Sequence, residues 1–296
     1  MRLLWPPIGT IPVQLSKKKN FILVKVSYPI LFCGIILKLR GVSRKPLKRQ
    51  YRNLYIETIR DQYLKFDLNI PFVSSSPTNG VESEKEDWIA KNPYDSNYGD
   101  LHHYDYKSDC RDWSNFPKTK FASEFGYQAW STLASIYDAT HNQTDLRINS
   151  TWLEHRNHHG DGNIQIQNFI KMLVGNQKTG SSKKDAESDF QKYIYLSQLS
   201  QSICTGNEAK FYRSMAGING TMGSLYWQLN DVWSGATWSS LDNTMKAKPL
   251  HFTIAKIYND PISLITYQNT EDIFTYENIS VYLVSSLSTT VSVNIT

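Results

Sequence analysis

The chain has 296 residues, 40% of them hydrophobic and 13% aromatic, which is enough for a large core and excludes a disordered or fibrous chain. Its 32 Lys and Arg outnumber its 27 Asp and Glu, but residues 1–50 hold 11 of the basic residues and no acid, leaving 21 against 27 elsewhere. The body, 51–296, is thus mildly acidic at a net −6, so the basic pI is no argument for a nucleic-acid partner.

Residues 1–50 have a texture of their own. An apolar run at 28–37, with Lys17, Lys18 and Lys19 upstream, is too short to span a bilayer and is followed by no small-residue cleavage site. A signal anchor and a basic nucleic-acid-binding arm are both considered for it; an unrelated leader fits better, and no stable membrane span is expected.

From Tyr51 the pattern becomes regular. Leu54, Ile56, Ile59, Tyr63 and Leu64 recur at helical spacing, closed at 67–69, and 71–77 is predicted to be a short buried strand. A helical piece at 82–90 and an Asn- and Pro-rich loop lead to a strand over 98–106, which carries His102, His103, Tyr104 and Asp105. The octet FASEFGYQ, 121–128, sets Glu124 inside an apolar and aromatic run that Gly126 ends. A carboxylate at the C-terminal end of a buried strand is where barrel enzymes hold catalytic groups, and a Glu salt-bridged at a strand edge is the alternative.

Helices are predicted at 129–137, 164–174 and 185–202, with a closing helix at 246–256. His155, His158 and His159 lie in a Gly- and Asn-rich stretch whose spacing suits a polar loop better than a metal site. GSLYWQLNDVW, 223–233, reads as an aromatic-rich strand ending at Asn230 and Asp231 with Trp233 just beyond. Beyond 257, short runs rich in Val, Ile, Thr and Tyr look like the opening of a β-sandwich.

Cys33, Cys110 and Cys204 have no metal-type spacing, and no metal or other cofactor is expected. Five Asn-x-Ser/Thr sequons, at Asn142, Asn149, Asn219, Asn278 and Asn294, lean toward the secretory route. In that compartment Cys110 and Cys204 could pair and leave Cys33 over.

Four segments, SSPTNG (75–80), GDLHHYDYKSDC (99–110), FPKTKFASEFGYQ (116–128) and MGSLYWQLNDVW (222–233), stand in the order and approximate spacing of a known family. Residues 51–296 resemble the β-mannosidases of glycoside hydrolase family two. The resemblance implies an α/β fold: a partial (β/α)8 TIM barrel, with 71–77, 98–106, 121–126 and 223–231 as strands five to eight, followed by the start of a β-sandwich. The expected divisions are a leader at 1–50, the half-barrel at 51–256 and the sandwich from 257 to 296.

It also implies an exo-acting, retaining glycosidase that removes terminal β-mannose from N-glycan-derived oligosaccharides in a lysosomal or secretory setting. Glu124 maps onto the catalytic nucleophile, and Cys110 and Cys204 match family positions. Trp227 and Trp233 are candidate walls of the sugar subsite, and Tyr104, Asp231 and His102 candidate hydrogen-bonding groups, with Asp105 and Trp113 weaker. For each, a core or loop-bracing role is the alternative. The family's acid/base Glu lies in an Asn-Asn-Glu-type segment ahead of the helix that begins near Tyr51, and no such segment stands there. An inactive or purely glycan-binding remnant is the competing expectation.

Overall fold

A computed structural model describes residues 44–66, 71–177, 183–260, 262–268 and 279–285. The leader through residue 43, the helix closure at 67–69 and the third β-rich run lie outside these residues. The chain divides into two compact units, Met1–Ser74 and Ser75–Thr296.

In the first unit, α1 (Arg44–Arg52), a π-helical stretch (Asn53–Arg60) and α2 (Asp61–Phe66) form one helical run. The predicted helix is present, but its register loosens. The Thr58 hydroxyl donates to the Asn53 carbonyl at 2.7 Å, and the Asp61 amide reaches back to Ile56. With five residues per hydrogen-bonded step, the apolar stripe no longer holds one face: Ile56 is buried while Leu54 and Ile59 are exposed. The predicted strand at 71–77 is irregular backbone.

The second unit is mixed helix and strand. After α3 (Val81–Lys85), β1 (Leu101–His103) and β2 (Ala122–Phe125) pair in parallel, with His102 opposite Glu124. Ser224 makes a parallel bridge to Ala122 on the other side of β2, extended by Met222 N–H to Lys120 O, Leu225 N–H to Ala122 O and Trp227 N–H to Phe125 O. Strands thus stand within the predicted 98–106 and 121–126 but are shorter, while 223–231 pairs with β2 only as far as Trp227 and then with the segment around Leu241. Trp227–Gln228 is a cis peptide bond, as is Ser76–Pro77.

Gly126 shows why the turn needs glycine. A Cβ there would lie 2.4 Å from the Trp227 carbonyl oxygen, and its φ of 156° is in any case unfavourable to a side chain. The helix predicted at 129–137 begins later, as α4 (Leu133–Ala139) capped by Thr132, because Ala129 and Trp130 pair instead as β3 with β4 (Ala236–Thr237). Helices α5 (Thr151–Arg156) and α6 (Gly162–Val174) follow, and then the long α7 (Lys183–Ser214), which runs twelve residues past its predicted end. Short α8 (Ala216–Asn219) and α9 (Pro249–Asn259) complete the helices.

Helix α7 backs the paired strands. Phe125, Tyr212 and Phe211 join Trp113, Leu250 and Ile254 in one buried cluster. Trp130, Phe190, Ile136 and Leu153 form a second. The closing hairpin, β5 (Ile262–Gln268) against β6 (Ile279–Ser285), packs Ile265, Tyr267 and Tyr282 onto the first cluster, with Tyr267 stacked 4.3 Å from Trp113. Trp113 is therefore a core residue. No helix among the described residues is long and apolar enough to cross a membrane.

Cys110 and Cys204 are bonded, with Cα atoms 5.2 Å apart, joining the loop before β2 to the middle of α7 across 94 positions of chain. Closing a loop of that length restricts the unfolded chain by about 4 to 5 kcal/mol. Replacing both cysteines by serine should lower the unfolding free energy by several kcal/mol, read from denaturant midpoints, with near-wild-type stability as the contrary result.

Candidate active site

Glu124 is the third residue of β2, and the parallel pairing sets it beside His102 of β1. Two groups hold its Oε2: the Tyr104 hydroxyl donates to it at 3.1 Å and His102 Nδ1 stands 3.2 Å away. Burial, and after it the neighbouring Glu124 charge, pushes the Tyr104 hydroxyl well above its ordinary pKa, so Tyr104 stays a proton donor.

Behind His102 the network continues. Ser76 Oγ donates to Asp100 Oδ2 at 2.5 Å and lies 2.9 Å from His102 Nε2. Ser123 also donates to Asp100, and the Thr78 amide donates to its other oxygen at 2.7 Å. The chain of contacts thus runs from Asp100 through Ser76 to His102 Nε2, and from His102 Nδ1 to the Glu124 carboxylate.

His103, next along β1, points to the opposite side, where its Nδ1 is 2.8 Å from Glu208 of α7. Tyr212 donates to the same carboxylate at 3.0 Å. Glu208 is fully buried, and burial raises its pKa despite the His103 partner.

An aromatic group adjoins Glu124. The Trp238 indole N–H donates to the Tyr106 hydroxyl at 2.9 Å, and its ring meets Tyr104 and His159 edge-on, with centroids 6.3 and 5.3 Å apart. Trp227 reaches the same region through its backbone bond to Phe125 and its close approach to Gly126.

The predicted site residues fall into two groups. Glu124, His102 and Tyr104 are hydrogen-bonded together, with Trp227 beside them. Asp231 and Trp233 lie in the connection that follows. Asp231 is 5% exposed, and its oxygens accept from Thr237 Oγ1 (2.7 Å), Ser239 Oγ (2.6 Å) and Gln228 Nε2 (3.2 Å). It therefore fastens the loop that presents Trp238 to the turn that presents Trp227. Trp233 stands 4.3 Å from His158, with the Arg156 guanidinium over its ring at 4.8 Å. Asp105 caps its own turn by accepting from the amides of Lys107 and Ser108.

Trp238, Tyr106, Ser76, Asp100 and Glu208 were not reached by the sequence reasoning. A Trp in the Ser- and Gly-rich stretch SGATWSS was the available signal for Trp238, since turn-rich loops rarely carry a large aromatic without a contact to make. No group of His, Cys, Asp and Glu among the described residues could hold a metal ion.

Comparison with known proteins decides the family. The chain is 41% identical over 213 residues to a β-mannosidase of Rattus norvegicus, a match covering 70% of this chain and 24% of that protein. The chain is a part-length relative of the β-mannosidases. A second β-mannosidase, from Bos taurus, is 38% identical over 233 residues, covering 77% of this chain and 26% of its own length. The crystal structure of the β-D-mannosidase from Dictyoglomus thermophilum shares the fold, with a TM-score of 0.61 and 24% identity over 78% of this chain and 25% of that one. No family model matches. This β-mannosidase relative spans about a quarter of the length of the proteins it matches.

Beneath the Asp231 network lies Lys248, 0% exposed, whose Nζ has no hydrogen-bond partner among the described residues. Burial lowers its pKa to about 8, against the pull of Asp231 and Asp242. The unfolded chain keeps that proton to about pH 10.4, so between about 8 and 10 it holds protons the folded chain has lost, and stability rises with pH by up to about 3 kcal/mol. Urea unfolding across that range should show the rise in the wild-type chain and a flatter profile in Lys248→Met; equal slopes would contradict the assignment.

Proposed function

We propose that the chain carries the nucleophile side of a retaining, exo-acting β-mannosidase site, with Glu124 as nucleophile. The observation that carries this reading is the placement of Glu124 on a parallel strand, its Oε2 held by Tyr104 and His102, beside the Trp238–Tyr106 aromatic group. Parallel strands deliver catalytic groups at their C-terminal ends, and aromatic faces pack on the C–H surface of a pyranose.

In the proposed reaction Glu124 attacks the anomeric carbon of a terminal β-mannose, forming a glycosyl-enzyme that water then hydrolyses. Tyr104 and His102 orient the carboxylate and stabilise its charge before attack. Trp227 and Trp238 are the proposed sugar platform, Trp233 with His158 the outer wall, and Asp231 the brace behind both. Protonation of the leaving oxygen calls for a second carboxyl about 5 to 5.5 Å from the first. That role is assigned to no described residue: Asp100 is engaged by Ser76, Ser123 and Thr78, and Glu208 by His103 and Tyr212.

The fold proposed for this site is strands five to eight of a (β/α)8 barrel followed by the opening hairpin of a β-sandwich. The substrate proposed is a mannose-terminated oligosaccharide derived from N-glycans, without nucleic acid. A lysosomal or secretory setting is supported by the Cys110–Cys204 bond, since structural disulfides persist in oxidising compartments.

An activated aryl β-mannoside separates the nucleophile from the acid, because a good leaving group needs little protonation. The chain is expected to cleave it, and Glu124→Gln to retain less than about 1% of that rate. A folded chain without cleavage, or a variant as active as the wild type, overturns the proposal. Tyr104→Phe removes one hydrogen bond to a charged group and should lower kcat/KM about 10- to 100-fold in the same assay.

A further inference from the structure

The Asn-x-Ser/Thr sequons stand in very different surroundings. Three of the five, at Asn142, Asn149 and Asn219, lie among the described residues.

Asn219 ends α8, and its side-chain Nδ2 donates to the Thr119 carbonyl at 3.2 Å. The hydroxyl that completes the sequon, on Thr221, is buried at 5% exposure and donates to the same carbonyl at 2.6 Å. Lys120 Nζ covers the Asn219 carbonyl at 2.7 Å. This sequon is locked against the segment that leads into β2, and a sugar on Nδ2 would have to displace that contact.

Asn142 presents the opposite case. It stands with Gln143 and Thr144 on an exposed turn between α4 and α5. Its Oδ1 accepts from the Thr144 amide at 3.1 Å and the Thr144 hydroxyl at 2.9 Å, while Nδ2 has only a 3.5 Å approach to Asp145 Oδ1. The amide nitrogen that takes a glycan is therefore barely held, and no core residue depends on it. Asn149 is also exposed, but its Oδ1 is held by Gln167 at 2.9 Å and the middle residue of its sequon, Ser150, caps α5.

We infer that Asn142 carries an N-linked glycan and that Asn219 does not. The inference rests on the secretory setting proposed above, for which the Cys110–Cys204 bond is independent support. In the transfer, Asn142 Nδ2 forms a bond to the anomeric carbon of an oligosaccharide. That carbon's bond to its lipid pyrophosphate donor breaks, the pyrophosphate leaves with the bonding electrons, and Nδ2 loses one proton. The product places a large hydrophilic group on the turn between α4 and α5, at no cost to the packing beneath.

The test is expression of the full chain behind a cleavable secretory leader in a eukaryotic host, followed by glycopeptide mass spectrometry and non-reducing peptide mapping of the same sample, secreted or retained. Molecules with the Cys110–Cys204 bond are expected to carry a glycan at Asn142 and none at Asn219. Thr144→Ala, a change on an exposed turn, should remove one glycan's worth of mass, and Asn219→Gln none. Disulfide-bonded chain with Asn142 unmodified, or with Asn219 occupied, overturns the inference while leaving the compartment intact. Free Cys110 and Cys204 thiols together with a bare Asn142 overturn both.

Discussion

The parallel alignment of three backbone segments around Ala122–Phe125 is the constraint on which the rest of the second unit depends. Leu101 reaches Phe121 from one side, and from the other Met222 bonds to Lys120, Gly223 and Leu225 to Ala122, and Trp227 to Phe125. Buried backbone must pair, and here the pairing determines which side chains meet. His102 falls opposite Glu124 because β1 and β2 run in the same direction with a register shift just before it. Adjacent residues of an extended segment point to opposite faces, so His102 turns toward the candidate nucleophile and His103 toward Glu208 in α7. One short strand thus has hydrogen bonds on both of its faces.

Polar groups reinforce this arrangement behind the site. Asp231 and Asp242 each gather hydroxyls or amides from a separate loop, and Lys248 lies buried between their fields. Burial pushes the Asp242 carboxyl up, yet hydrogen bonds from Thr132, Thr244 and Lys246 outweigh it and hold the group below its ordinary value. Burial dominates for Asp231, whose pKa is raised even with Lys248, Ser239, Thr237 and Gln228 nearby. Charges removed from water are costly unless paired, and this cluster distributes the cost over loops that would otherwise have few apolar contacts to order them. Trp227 and Trp238 inherit their positions from it.

The strand that carries the candidate nucleophile was legible in the sequence because its signal is local. An acid inside FASEFGYQ, ended by a glycine, marks a strand and its exit, while His102 and Tyr104 were candidates for sugar hydrogen bonds and stand in the structure against Glu124 itself. What could not be read were contacts made by loops. Nothing in the spacing of Thr237, Trp238 and Ser239 reveals that they fold back on Asp231 and Tyr106. The predicted strand at 223–231 failed halfway for a related reason: alternation of Leu225, Trp227 and Leu229 looks like a pleat, but beyond Trp227 the backbone bonds to Trp238 and Leu241 instead of β2, and Leu225 and Leu229 are exposed. The helix at 53–60 kept its type and lost its register, because a Thr hydroxyl competing for a backbone carbonyl leaves no trace in hydrophobic periodicity.

The stacking of Tyr267 on Trp113 bears on how the molecule comes apart. Trp113 also meets Phe211 of α7 and Tyr282 of β6, so one indole joins the closing hairpin, the loop before β2 and the long helix. Composition changes sharply near residue 257, and among the described residues beyond it Ile265, Tyr267, Tyr282 and Val284 pack on the cluster around Phe125. Peeling the hairpin away would open the cluster that holds Phe125, the residue after Glu124. The hairpin strands and the site-bearing strands therefore share one cluster, so loosening of the hairpin is transmitted through Trp113 and Phe211 to the packing beside the candidate nucleophile.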